Sequence, residues 1–425
     1  RLRDLADKYR QNGGKIAVIG GGYLGGELAV SLLTEVPVKS DATGDTHPST
    51  STHNLSVLHV FRQTAPMGHV LPPALASAIA RFEASKGVEL LPSAEVVGMS
   101  LVSGPNPTPV VEPRMSEKLH FGPLTRTVTA TQNTSSPRVR LRIRQGKQVE
   151  EVDVDHVVCA VGIEPNVSLA ESAGLEIDAK NGGFLVNAEM EARAGIFAAG
   201  DASSYWDPVI GMRRRVEHLN FAEETGALAG KNMAAPYAPQ EPHGKPPEPA
   251  RYQYQSSFWS SLGPEVSWDA VGHVDSHKLI TRSFFFSEES TMSESLSIPS
   301  AEFGRLGRGV VFYLTPKEKR LVGILLWNLP EEFYTEQEYA APSRLNIARD
   351  LLAKKLRIGQ SQRSEDGRPE SAEMEELRRY ATYFDLAGDL EKEYAEVKAY
   401  AEQKKQEFTS KDTDLNDTVE FAGQQ

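Results

Sequence analysis

Three glycines, Gly20, Gly22 and Gly25, stand at the spacing Gly-x-Gly-x-x-Gly within the stretch from Lys15 to Glu27. Glycine has a separate physical task at each position. Gly20 permits a tight turn, Gly22 lets the backbone approach a pyrophosphate, and Gly25 lets a helix pack closely on a strand. Ahead of them Ile16 to Ile19 is an apolar run of strand length. Behind them Leu24, Leu28 and Leu32 recur at helical spacing. Strand, glycine turn and helix in that order aim free N–H groups and the positive end of a helix dipole at phosphates. The spacing predicts a dinucleotide site. The plain alternative is a glycine-rich turn in an ordinary α/β domain.

Further residues could serve the same chemistry. Gly195 to Ala202 carries an apolar strand to a Gly-Asp end, and Asp201 stands where the ribityl–phosphate region of a flavin is usually held. Glu217 and His218 follow three arginines and precede a helix whose apolar side is read as Phe221, Leu228 and Met233. A helix N-terminus beside Glu217 and His218 suits negative charge on a reduced flavin. Val57 to Phe61 reads as the second strand of the dinucleotide unit. An NAD site normally carries an acid at that strand's end. Here Arg62, Gln63 and Thr64 follow instead. Arg62 reads equally as a cation tolerating the extra phosphate of NADP and as a solvated surface charge.

The elements that must position these groups fit a chain of 425 residues, long enough for two or three domains. Hydrophobic content of 40% and charged content of 24% are those of a soluble globular protein, and the net charge of −12 disfavours a surface built for nucleic acid. The single cysteine, Cys159, excludes an intramolecular disulfide and any two-cysteine redox centre. Its place in the apolar run Val157 to Val161 predicts a buried, inert thiol. No apolar run approaches the roughly 20 residues that a membrane-spanning helix needs. Residues 37–54 and 101–137 are polar, without periodicity, and read as loop insertions. Leu75 to Phe82 is expected as a helix after Pro72-Pro73, Val88 to Leu91 as a short strand, and Arg138 to Arg144 as a half-exposed strand. Gly183 to Asn187 is expected as a hairpin strand, and Phe258 to Leu329 as an antiparallel sheet interrupted at 283–305. Ser343 to Lys355 reads as a helix. In the tail, Leu377, Tyr380 and Phe384 recur at helical spacing, which suits either docking on a partner or capping of the chain's own domain.

Together, Gly-Gly-Gly-Tyr-Leu-Gly-Gly-Glu-Leu, Ala-Val-Gly-Ile-Glu-Pro-Asn, Ala-Ala-Gly-Asp-Ala and Arg-Arg-Arg-Val-Glu-His closely resemble the mitochondrial apoptosis-inducing factor family. The blocks Phe258 to Pro264, Gly309 to Leu314 and Val322 to Asn328 extend that resemblance, which covers about residues 1–355. It implies an FAD-dependent NAD(P)H oxidoreductase of the glutathione-reductase type, resident in the mitochondrial intermembrane space and able to reach the nucleus in cell death. It also implies a nicotinamide cofactor, an electron acceptor, a homodimer and a mitochondrial assembly partner. By the same resemblance Tyr23 and His218 lie near the nicotinamide, Glu27 beside the flavin, and Gly162 and Glu164 on a cofactor-contacting turn. Asp201 holds FAD, Glu217 flanks the reaction centre with His218, Trp259 is an active-site tryptophan, and Asp269 replaces a family glutamate. Gln63 stands where the family has its ribose-binding acid and His69 where it has a lysine.

The expected fold class is α/β: a Rossmann-like NAD-binding domain, the second part of an FAD-binding domain, and a C-terminal α+β domain of the dimerisation type. Expected bounds are a connector helix over 1–13, the NAD(P) domain over 14–160, the FAD part over 161–235, the C-terminal domain over 253–357 and a charged tail over 358–425. The family's first FAD motif would lie upstream of Arg1, so this polypeptide alone is expected to bind flavin weakly or not at all. Two rival functions remain: a redox-gated binding or assembly protein, and a DNA-binding protein acting through Arg213 to Arg215.

Overall fold

The structure, a computed structural model, describes residues 2–34, 54–102, 138–237, 248–263, 265–287, 290–293, 307–329, 343–359, 369–384 and 386. The two insertions expected at 37–54 and 101–137 lie almost wholly outside the described residues. The apolar run Ile16 to Ile19 and the leucine spacing that follows it fold as strand and helix, as the sequence suggests. Helix α1 (Leu2–Asn12) leads into β1 (Gly14–Ile19), α2 (Tyr23–Ser31), β2 (Leu55–Val60), α3 (Pro73–Ser85) and β3 (Glu89–Leu91). A three-stranded antiparallel sheet, β4 (Ala94–Val102), β5 (Arg138–Gln145) and β6 (Gln148–Val154), follows before β7 (His156–Cys159). The first sheet is parallel in the order β3-β2-β1-β7, the arrangement expected of a Rossmann-like unit. Its central strand β1 has four consecutive buried residues, because both faces are covered. Helix α1 packs on the dinucleotide unit: Ala6 is buried with Ile16 and Val57, and the Tyr9 hydroxyl donates to the Asp155 carbonyl at 3.2 Å.

Edge position explains one correction. Strand β7 pairs with β1 alone, so its far side is uncovered among the described residues, and Cys159 is exposed rather than buried. Val161, expected to end a buried strand, lies beyond β7 and is 70% exposed. The arginines of β5 face solvent and carboxylates, as their alternation predicts: Arg140 pairs with Asp153 at 2.7 Å and Arg144 with Glu95 at 2.5 Å.

The middle of the chain contributes α4 (Leu169–Ala173) and short strands β8 (Phe184–Leu185), β9 (Glu191–Arg193) and β10 (Ile196–Phe197). Next come β11 (Ser203–Asp207), β12 (Met212–Arg215) and α5 (Leu219–Ala234). Strand β8 runs parallel to β11, and only a single bridge from Phe184 to Ile177 is antiparallel, so the expected hairpin is reduced to that contact. Helix α5 buries Phe221, Thr225, Ala229 and Asn232, whereas Met233 is exposed. The buried stripe runs at steps of four, four and three residues through two polar residues, which find partners inside. Thr225 Oγ1 accepts from the Gly200 amide, and Asn232 bonds Glu189 and Ala250.

The last unit is a six-stranded antiparallel sheet in the order β13-β14-β18-β17-β15-β16. Its strands are β13 (Ser257–Leu262), β14 (Val266–Gly272), β15 (Ile280–Ser287), β16 (Ser290–Ser293), β17 (Arg308–Leu314) and β18 (Leu321–Trp327). The interruption expected at 283–305 is therefore partly regular, since most of β15 and all of β16 fall inside it. Strands β17 and β18 are buried at every position because both faces are packed. One face, with Trp268, Ala270, Val311, Tyr313, Leu325 and Trp327, meets Met67, Leu71 and Leu75 of the dinucleotide unit. The other carries Val271, Phe312, Ile324 and Leu326 against α6 (Arg344–Ala353) and α7 (Pro369–Ala381). Ser343 caps α6 by accepting from the Asn346 amide at 3.1 Å. Leu377, Tyr380 and Phe384 are buried in that second face, so this segment of the tail covers the chain's own sheet.

Candidate functional site

The C-terminal end of the parallel sheet opens onto the glycine turn. Gly20 adopts φ +123°, a conformation that L side chains rarely take, and its N–H donates to the Val60 carbonyl at 2.9 Å. A Cβ at Gly25 would stand 1.8 Å from the Gly20 oxygen, so the helix can seat this close only with glycine there. Around Gly22 nothing lies within 4 Å of where a Cβ would be. Gly22 begins α2 with no side-chain cap, leaving the helix's leading N–H groups and its positive end facing open space. Closely packed beneath and open above, the turn fits a dinucleotide pyrophosphate.

Beside it, three aromatic rings from three elements converge. Tyr23, the first residue of α2, packs edge-on to Phe258 of β13 at 5.2 Å. Phe258 in turn lies 4.5 Å from His218, which begins α5. Trp268 and His69 close the far side of Tyr23 at 6.2 and 6.4 Å. Burial holds the Tyr23 phenol well above its ordinary pKa, so it is neutral, and its hydroxyl is covered without a partner. Burial, and then the Arg214 charge, push His218 down to about 4, which makes it a neutral imidazole at physiological pH. Its Nδ1 lies 3.3 Å from Ser256 Oγ. His69 is also lowered by burial. Glu27, one turn further along α2, accepts a hydrogen bond of 2.5 Å from Ser260 Oγ.

Arg215 ties the neighbouring groups together. It pairs with Glu217 at 2.6 Å and donates to the backbone carbonyl of Asp201 at 3.4 Å. Asp201 sits in the 3-10 turn Gly200–Ala202 that packs on α5. Arg214 reaches the buried Asp207 at 3.0 Å and the Gly272 carbonyl at 2.8 Å, and Arg213 donates to Val186 and Ser204 carbonyls. Gln63 follows β2 and lies against Gly21, while Arg62 is exposed. Gly162, at φ +99°, and Glu164 occupy the exposed segment after β7.

The structure does not bring Trp259 and Asp269 to this cluster. They are direct cross-strand neighbours on the edge pair β13–β14, and Trp259 is 72% exposed. Phe258 and Ser260 face Tyr23 and Glu27, so alternation sends Trp259 to the opposite face of the sheet. Phe258 is the aromatic residue that the sequence reading passed over.

Comparison with known proteins bears on this arrangement. Residues 109–226 match the family model described as pyridine nucleotide-disulphide oxidoreductase, and residues 245–299 match the C-terminal model of mitochondrion-associated apoptosis-inducing factor. A putative mitochondrial apoptosis-inducing factor 1 of Drosophila melanogaster is 33% identical over 361 residues, covering 77% of this chain and 40% of that relative. The chain is homologous to the apoptosis-inducing-factor-like pyridine nucleotide-disulphide oxidoreductases. Mitochondrial apoptosis-inducing factor 1 of Dictyostelium discoideum is another such homologue, 29% identical over 357 residues, or 84% of this chain and 52% of that one. The chain thus spans about half the length, or less, of these two relatives. Among solved structures, the covalent putidaredoxin reductase–putidaredoxin complex matches 90% of this chain and 68% of that one, with a TM-score of 0.53 at 18% identity. An FAD-dependent oxidoreductase from Desulfovibrio vulgaris gives 0.51 at 17% identity, over 90% of this chain and 74% of that one. These two likenesses bear on the fold.

Proposed function

We propose that this chain serves hydride transfer from NAD(P)H to FAD. The convergence of Tyr23, Phe258 and His218 beside an uncapped helix start and an open glycine turn carries the reading. In it the turn from Gly20 to Gly25 holds the dinucleotide pyrophosphate, Gln63 meets the adenosine ribose, and His69 closes the pocket behind Tyr23. The half-buried ring cluster would give a planar nicotinamide an apolar surface to lie against. Neutral Tyr23 and neutral His218 put no net charge against a cationic oxidised nicotinamide. Asp201, Glu217, Gly162 and Glu164 are the residues of this chain assigned to FAD, with Glu27 beside it. The uncapped start of α5 at His218 suits the negative charge there. Bound flavin would supply the hydride-accepting chemistry, and the protein supplies position and electrostatics. A small oxidant or quinone as acceptor, a second copy of the chain, and a mitochondrial location complete the proposal.

The test is turnover of NADH and NADPH by the full chain with added FAD and a dye acceptor, compared with Phe258→Ala. Removing one wall of the ring cluster is expected to lower kcat/KM by about tenfold or more. Because flavin binding by this chain is expected to be weak, FAD is raised to saturation, and a folded wild-type chain that still shows no turnover with either nucleotide sinks the reading.

A further inference from the structure

Beneath the glycine turn lies a buried ionisable pair in a place where a dinucleotide unit needs only packing. His59 on β2 and Glu83 on α3 are both fully buried, and His59 Nδ1 stands 2.7 Å from Glu83 Oε2. The other ring nitrogen, Nε2, stands 2.9 Å from the carbonyl oxygen of Gly20. A carbonyl oxygen only accepts, so a proton on Nε2 is required at that distance. The Gly20 carbonyl thus sets Nε2 as a donor, and the Nδ1–Glu83 contact is then either a carboxylic acid donating to a neutral imidazole or an imidazolium donating to a carboxylate. Burial raises the Glu83 carboxyl, and the bond and charge of His59 draw it back down. Phe61 packs on the imidazole at 4.8 Å and fixes its plane.

The consequence falls on the backbone. Gly20 gives its N–H to the Val60 carbonyl and takes the His59 Nε2–H on its own carbonyl, so adjacent residues of β2 hold both its polar groups. With Gly20 at φ +123° its carbonyl points into the protein, under the first turn of α2. Glycine carries little barrier to other conformations. A rotated Gly20–Gly21 peptide would swing that oxygen outward and set a negative dipole against an incoming phosphate. We propose that His59 and Glu83 are positioning residues of the dinucleotide turn: Glu83 orients the imidazole, and its Nε2–H locks the Gly20 carbonyl inward and keeps the turn receptive to an anionic pyrophosphate. The effect on affinity rests on the nucleotide reading given above; the lock itself does not.

Two near-isosteric substitutions separate the halves of the pair. In His59→Gln the side-chain amide reaches the Nε2 position and retains the donor to Gly20. In His59→Asn it reaches only the Nδ1 position, retains the bond to Glu83 and leaves the Gly20 carbonyl bare. The double variant H59L/E83M removes both partners and avoids an uncompensated buried charge. Two readouts are taken on the full chain: NADH and NADPH affinity by fluorescence titration, and hydrogen-exchange protection of residues 20–26 by mass spectrometry. His59→Asn and H59L/E83M are expected to weaken nucleotide binding about three- to tenfold, the worth of one hydrogen bond, and to lower protection of the turn. His59→Gln is expected to restore both. Unchanged protection in His59→Asn and H59L/E83M overturns the lock. A loosened turn with unchanged nucleotide affinity overturns its role in positioning. If wild type binds neither nucleotide while the variants still loosen the turn and His59→Gln restores it, the lock stands and the nucleotide reading fails.

Discussion

His218 shows how burial selects a chemical state. Surrounded by Phe258, Ser256 and the nearby Arg214, it is pushed down to about 4, and His273 is lowered to about 4 by the same two causes. An unfolded histidine titrates near ~6.5. Between ~6.5 and about 4 the unfolded chain therefore binds protons that the folded chain refuses, so stability falls as pH drops through that window and is level above it. Each residue is expected to account for about 2 kcal/mol of that loss. Urea unfolding near pH 7.5 and pH 5 checks this, and His218→Phe should remove roughly half of the difference. Phe258 and Trp259 make a second contrast at this scale. Phe258→Ala opens the ring cluster and is expected to cost about 2 kcal/mol, while Trp259→Ala should stay within about 0.5 kcal/mol. Thermal unfolding of the two variants separates them. The pair also shows a limit of sequence reading. Adjacent aromatics on a strand face opposite ways, and which one meets Tyr23 depends on register against β14 and α2 rather than on residue type.

At the scale of elements, local signals were legible and placement was not. The apolar run before Gly20, the Pro72-Pro73 start of α3 and the Ser343 cap are local, and the structure forms those elements where the signals stand. The stripe of α5 is different: Thr225 and Asn232 look like surface residues until Gly200, Glu189 and Ala250 arrive from elsewhere to satisfy them. Thr225→Val keeps shape but leaves the Gly200 N–H without its acceptor, for an expected loss of about 1–3 kcal/mol. Cys159 fails for a related reason, since an apolar run does not reveal that its strand will be an edge. For α7 the spacing of Leu377, Tyr380 and Phe384 gave a helix with one apolar face, and two possible hosts. The structure puts that face on the chain's own sheet, beside β15, with Leu377 fully buried. Leu377→Ala is expected to destabilise the chain by about 2–5 kcal/mol, read from the denaturant midpoint. A surface helix awaiting a partner would lose far less.

For the molecule as a whole, the arrangement puts the glycine turn, the α5 start and the β13 face at one meeting place of three units. The α/β class and the Rossmann-like unit were readable from Gly20, Gly22 and Gly25 set between an apolar run and a leucine repeat. The meeting of Phe258 with His218 and with Tyr23, the last from the far end of the sequence, was not. Charge also acts at this scale. Arg213, Arg214 and Arg215 are each engaged by carbonyls or carboxylates, and the chain carries a net −12. No salt-sensitive DNA binding is expected in fluorescence anisotropy at low ionic strength. The glycine turn at the start of α2 is proposed to hold a nicotinamide dinucleotide. Calorimetric titration of NADH and NADPH into the folded full chain and into Gly25→Val tests it most directly, because a side chain at Gly25 runs into the Gly20 oxygen. Binding by the wild type that is lost in Gly25→Val is the predicted result. Equal binding by both, or none by a folded wild type, would contradict it.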